Sequence, residues 1–174
     1  MQKFVVAALV AGCSSSGGRV FAAQNAASGS PVEFALPDGG FARFGRIYLS
    51  DTPGECGRRT RSALAKGSRT LRFDLEPQFQ VQAPTPGFYA VLEPDSVSHA
   101  NQMVVTLATL DENCQFIGGG AATAGTLELT KASGGSYAGS FDVQFGDERF
   151  SGTFDSADCQ AVDANPDAGP STCE

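Results

Sequence analysis

The stretch YAGSFDVQFGDERFSGTFD, Tyr137 to Asp155, decides the fold. Phe141, Val143 and Phe145 alternate with Ser140, Asp142 and Gln144, the period-2 pattern of a strand with one buried face. Gly146-Asp147 then fits a two-residue hairpin turn, with Gly supplying the positive φ of a type II′ turn. Counting outward sets Phe145 opposite Glu148, Val143 opposite Phe150, Phe141 opposite Gly152 and Gly139 opposite Phe154. Each glycine then lies beneath a phenylalanine ring, and Asp142 pairs with Ser151 on the wet face. A slip of one residue would turn every Phe outward, so the buried face specifies the register.

Working outward, GTLELTK (Gly125 to Lys131) alternates in the same way and meets Tyr137 through the loop ASGGS, which extends the hairpin to a three-strand meander. Further strands are expected at Val32 to Leu36, Ala42 to Leu49, Thr70 to Leu75, Phe88 to Leu92 and Met103 to Leu110. A helical turn is expected only at Arg61 to Lys66. About eight short strands, with Gly, Pro, Asp and Asn between them, predict an all-β fold: an antiparallel β-sandwich or flattened barrel. Composition agrees, since Trp is absent, Phe numbers 13 and Gly 21.

The N-terminus reads as an export signal. Lys3 forms the charged region, an apolar run follows from Phe4 to Ala11, and no stop-transfer pattern succeeds it. Its length is far below the roughly 20 apolar residues of a membrane span. Val10-Ala11-Gly12-Cys13 resembles the lipobox of bacterial lipoproteins, which implies cleavage before Cys13 and lipidation of its thiol. By the same resemblance Ser14, which is not Asp, implies sorting to the outer membrane, with the membrane face left open. An ordinary signal cleaved after Phe21-Ala22-Ala23 is the competing reading. The expected organisation is a signal peptide over 1–12, a flexible Ser/Gly/Ala tether over 13–31, one β domain over 32–160 and an irregular acidic tail over 161–174.

Four further cysteines, Cys56, Cys114, Cys159 and Cys173, are even in number in an exported chain and predict two disulfides with three possible pairings. The pairing favoured from sequence joins Cys159 to Cys173 and Cys56 to Cys114. No CxxC clip occurs and His99 is the sole histidine, so neither a metal site nor a cofactor is expected.

IYLSDTPGEC, LDENC, GTLELTKASGGSYAGSFDVQFGDERFSGTFDSADC and a short acidic tail ending near Cys, in that order behind a lipobox, resemble a group of secreted bacterial lipoproteins. The resemblance covers most of the mature domain apart from Leu75 to Gln102, and GTxxLTxxxGGxYxGSFDxxF is its most specific part. It implies an exported, lipidated, disulfide-containing β domain with no assigned activity.

Net charge is −7, yet eight of the twelve basic residues (Arg43, Arg46, Arg58, Arg59, Arg61, Lys66, Arg69, Arg72) fall between 43 and 72. Arg58, Arg59, Arg61, Lys66 and Arg69 form a candidate site for an anionic envelope component, weighed against a solvated, self-neutralised loop. No aromatic residue lies between Gly57 and Leu71 to stack a base, which argues against nucleic acid.

Catalytic signatures are weak. His99 sits among Ser, Asn and Gln in an expected loop, and GGSYA lacks the closing glycine of a nucleophile elbow. Gly118 to Gly125 leads into a strand, where a phosphate cradle would open a helix, and reads as a bend or flexible connection. Asp163, Asn165, Asp167 and Glu174 have calcium-loop spacing, but Ala168 replaces the turn glycine and Pro166 interrupts the loop. The sequence therefore favours a non-catalytic structural or binding module of the envelope. A small hydrolase and an anion-binding module are the alternatives. The membrane, through the Cys13 anchor, is the expected partner, and no protein partner can be named.

Overall fold

The computed structural model describes residues 19–20, 25–35, 41–60, 63–76, 83–92, 101–159 and 172–174. Cys13, Arg61, His99 and the acidic residues Asp163 and Asp167 lie outside them. The elements are β1 (Arg19–Val20), β2 (Asn25–Ala35), β3 (Phe41–Ser50), α1 (Glu55–Thr60), β4 (Ala63–Leu64), β5 (Arg69–Glu76), β6 (Gly87–Val91), β7 (Gln102–Leu110), β8 (Phe116–Ala121), β9 (Ala124–Ser133), β10 (Ser136–Phe145), β11 (Glu148–Asp158) and β12 (Thr172–Cys173). The fold is all-β, as expected, and takes the barrel form.

The meander read from sequence is its foundation. β10 and β11 pair with Phe145 opposite Glu148, Val143 opposite Phe150, Phe141 opposite Gly152 and Gly139 opposite Phe154, the register that counting from the turn predicts. Gly146 has φ +58° at the turn. The β9–β10 connection is tighter than the expected ASGGS loop. Ser133 faces Ser136, and Gly134 and Gly135 (φ +55° and +76°) make a two-residue turn whose double positive φ only glycine adopts freely. The register then shifts at Ala138/Gly139. A Cβ on Gly139 would sit 2.0 Å from the Glu128 carbonyl oxygen, so glycine here is required by the close approach of β9.

The remaining strands extend the sheet in the order β11-β10-β9-β6-β7-β5-β3-β2, and β2 returns to β11 through a parallel pairing of Ala27 with Ala157 and Asp158 with Ser28. This eight-strand cycle is nearly closed. It is mixed, since β6 also runs parallel to β7. Eight strands leave an interior just wide enough for side chains, and here they fill it. Leu71, Phe73 and Leu75 from β5, Met103, Val105 and Leu107 from β7, and Tyr137, Phe141 and Val143 from β10 form one buried cluster with partners from the other strands. Phe73 and Phe141 meet edge to face across the interior, ring centroids 5.4 Å apart. The alternating positions Arg72, Asp74 and Glu76 face outward, so β5 is polar on its outer face and apolar on its inner one.

Several expectations are corrected. β2 begins at Asn25 and β1 pairs with β11, so ordered strand enters the 13–31 segment expected to be tether. Gly118 to Ala121, read as a bend or flexible connection, belong to β8, which pairs with β7. Glycine depresses strand propensity, but cross-strand pairing overrides it here. The helical turn lies at Glu55–Thr60 instead of Arg61 to Lys66. The tail is not wholly irregular, since Thr172 and Cys173 pair with Ala63 and Leu64.

Disulfide pairing is also corrected: Cys56 joins Cys159 and Cys114 joins Cys173. The reason is barrel closure. Ser28 is opposite both Asp158 on β11 and Ile47 on β3, so the end of β11 arrives one strand away from β3 and from α1, which follows it. Cys159 therefore packs beside Cys56 and the outward ring of Tyr48.

Candidate functional site

The basic segment singled out in the sequence folds into the α1 corner and the outer face of β5, and its described members make internal bonds. Arg58 is buried, because the turn from Ser50 into α1 wraps its guanidinium. Its Nη2 donates to Glu55 Oε2 at 2.8 Å, Thr52 Oγ1 at 3.0 Å and the Thr52 carbonyl at 3.3 Å, and its Nη1 donates to the Pro53 carbonyl. Arg69 donates from its backbone N–H to Asp51 Oδ1 at 2.8 Å and from Nε to Oδ2 at 3.0 Å. Lys66 is exposed, and its backbone N–H donates to the carbonyl of Glu174. The side chain of Arg59 and all of Arg61 lie outside the described residues.

Next to this corner, Asp74 on β5 sits between two arginines. Arg46 Nε donates to its Oδ1 at 2.5 Å, and Arg72 Nε stands 2.8 Å from its Oδ2 without the alignment of a hydrogen bond. Burial alone would lower the Arg46 pKa, but the hydrogen bond and charge of Asp74, with Tyr48, raise it. Glu76, one outward step along β5, is pushed up by burial and by the charge of Asp74. Arg46, Arg72 and Asp74 compensate one another on the outer face of the wall.

The consequence for Arg58 is measurable. Arg58→Ala removes the donor that Glu55 and the loop carbonyls share, at a cost of about 3 kcal/mol in stability by denaturant titration. A loss below about 1 kcal/mol would show the corner to be open to solvent. Charge reversal at Arg58 therefore reads folding, and a test of anion binding has to leave this residue in place.

A second constellation lies on the meander. Asp142, Gln144 and Arg149 line a shallow groove of about 310 Å³ with Ala124, Gly125 and Thr126. Arg149 donates from Nε to Asp142 Oδ1 at 2.6 Å and from Nη2 to Oδ2, a bidentate pair on the exposed face. The sequence reading gave Asp142 the Ser151 backbone position and missed Arg149, two residues back along β11. The signal was available, because diagonal neighbours on one face are within reach of long side chains.

The hydrogen bond from Arg149 holds the Asp142 carboxyl below its ordinary 3.8, with the guanidinium charge adding to it and slight burial opposing. A carboxylate depressed in the folded state contributes stability above its unfolded pKa and loses it as pH falls through the folded pKa. The Asp142 carboxyl carbon is thus expected to titrate below 3.8 by NMR, and to move up toward it in Arg149→Ala. An unmoved midpoint would contradict the pairing.

The third feature is the turn between β7 and β8. Asp111 Oδ1 accepts from the N–H groups of Asn113 and Gln115 at 2.8 Å each. Cys114 there adopts φ +57°, the only non-glycine in the left-handed region among the described residues, and reaches Cys173. Beyond the turn Phe116 and Ile117 are 66% and 63% exposed. Neither stands out in the sequence, because β8 is not expected as a strand.

Among the described residues no group of three or more His, Cys, Asp and Glu is placed to hold a metal, and no helix is long and apolar enough to cross a membrane. The chain matches no protein-family model, and no curated protein or solved structure is similar enough to it to establish kinship.

Proposed function

We propose that the chain is a cell-envelope lipoprotein, fixed to the outer membrane by acyl chains on Cys13 and displaying its barrel as a non-catalytic binding or structural module. The observation that carries this reading is the pair of disulfides, Cys56–Cys159 and Cys114–Cys173. Such bonds form and persist in oxidising compartments, in keeping with an export signal that ends at Val10-Ala11-Gly12-Cys13. The packed interior supports display over enclosure of a ligand, since the described inward side chains of β3, β5, β6, β7, β9, β10 and β11 converge on one another. Two or three acyl chains would hold the protein stably where one holds it only marginally.

The test is the intact mass of the protein from a native membrane fraction, before and after reduction. A mass of residues 13–174 plus a diacylglyceryl group, with a further gain for two reduced disulfides, supports the reading. A lipid-free chain beginning after Ala23 would sink the anchor and move the protein to the soluble envelope fraction.

A further inference from the structure

β8 has a partner on one side only among the described residues. β7 pairs with it from Thr106 opposite Ala121 to Leu110 opposite Phe116, and no described strand takes its other edge. The topology explains the opening. The chain continues from β8 through Ala122, bonded to the Val105 carbonyl, and Thr123, bonded to the Gln144 carbonyl, into β9. β9 pairs with β10 only from Ala124 opposite Gln144 onward, and β10 turns back at Gly146. The hairpin thus ends where β8 would need a neighbour.

Exposed edges are ordinarily guarded by charge, proline or cover. This one carries no charged residue from Gln115 to Leu127 in a chain of net charge −7, and Phe116 and Ile117 stand in solvent at its tip. Its two ends are acidic on balance: Asp111 and Glu112 precede the strand at the tip, with exposed Lys66 nearby, and Asp147 and Glu148 follow the β10 hairpin end at the other, where Arg149 is paired with Asp142. A second copy added antiparallel would set one acidic end against the other, so the charges disfavour self-pairing. They favour a strand that is uncharged in the middle and basic at both ends.

We propose that the open edge of β8 is a docking site where an extended segment of another protein adds as a further strand, its apolar side chains against Phe116 and Ile117 and its basic ends against the two acidic clusters. The main chain of residues 116–121 supplies hydrogen bonds and the exposed pair supplies apolar contact, the division of labour in strand addition. This deepens the reading of the protein as a binding module and rests on it.

The probe is a short synthetic peptide of alternating valine and threonine with paired lysines at each end, titrated against the full-length protein in detergent and followed by amide hydrogen exchange. Expected are slowed exchange at 116–121, affinity about tenfold lower when glutamates replace the lysines, and weakening as salt is added. Phe116→Lys with Ile117→Lys, at two exposed positions, removes the binding while the melting temperature holds. Equal affinity for both peptides, protection elsewhere, binding that survives the double variant, or no binding at about 1 mM peptide would overturn the proposal. So would protection of 116–121 without peptide in a dimer, which would make a second copy the occupant. A lipid-free chain that binds the peptide leaves this site standing and sinks the anchor, and a lipidated chain that ignores it does the converse.

Discussion

Cys56→Ala with Cys159→Ala is expected to lower the stability of the oxidised protein by about 4.7 kcal/mol, the chain-entropy value for a closed loop of about 100 residues. The bond spans 103 positions and ties α1 to the end of the last barrel strand. Cys159 is 3% exposed and packs on Tyr48, so the native state gains little freedom when the bond is absent. Guanidinium titration of both proteins under non-reducing conditions measures the difference, and a loss below about 1.5 kcal/mol would mean that the corner frays without it. The matching double alanine at Cys114 and Cys173 is expected to cost less. That bond holds a two-residue strand against β4, so its removal frees the tail and leaves the barrel closed.

Phe73→Ala is expected to cost about 4 kcal/mol. Phe73 is fully buried and meets Phe141 across the interior. Its strand is paired between β3 and β7, with Phe73 opposite Ile47 on one side and Val105 on the other. A wall pinned on both sides relaxes poorly into the space left by a ring, so both the lost transfer energy and the cavity are felt. Chemical denaturation with an unchanged m-value would read it directly. A cost below about 2 kcal/mol would show that the interior can collapse, and the barrel would then be a softer body than its packing implies.

The meander was legible because its information is local. Alternation, a Gly-Asp turn and glycines facing rings all lie within Tyr137 to Asp155, and together they allow one register. Strands β3, β5, β6 and β7 were legible for the same reason, within a residue at each end. What pairing across the chain creates was not legible. β8 is half glycine and is a strand only because β7 lies beside it. The parallel contact of β11 with β2 leaves no mark on either sequence, and with it went the disulfide connectivity. The arginines were visible as a charge cluster. Of the two readings weighed, an anion site and a self-neutralised loop, neither could say from sequence which acid folds against which arginine: Asp51 against Arg69, Glu55 against Arg58 and Asp74 against Arg46.

The two bridges interleave, first cysteine of the barrel to third and second to fourth. A polypeptide emerges from its N-terminal end, so Cys56 and Cys114 meet an oxidant while Cys159 and Cys173 are still to come. Oxidation in order of appearance would join the wrong thiols and trap β3 and β7 before the last strand arrives. The native pattern requires either that oxidation wait for the whole barrel or that an isomerase reshuffle an early error through thiolate exchange. Yield of correctly bridged protein should therefore depend less on how strongly its compartment oxidises than on how well it edits.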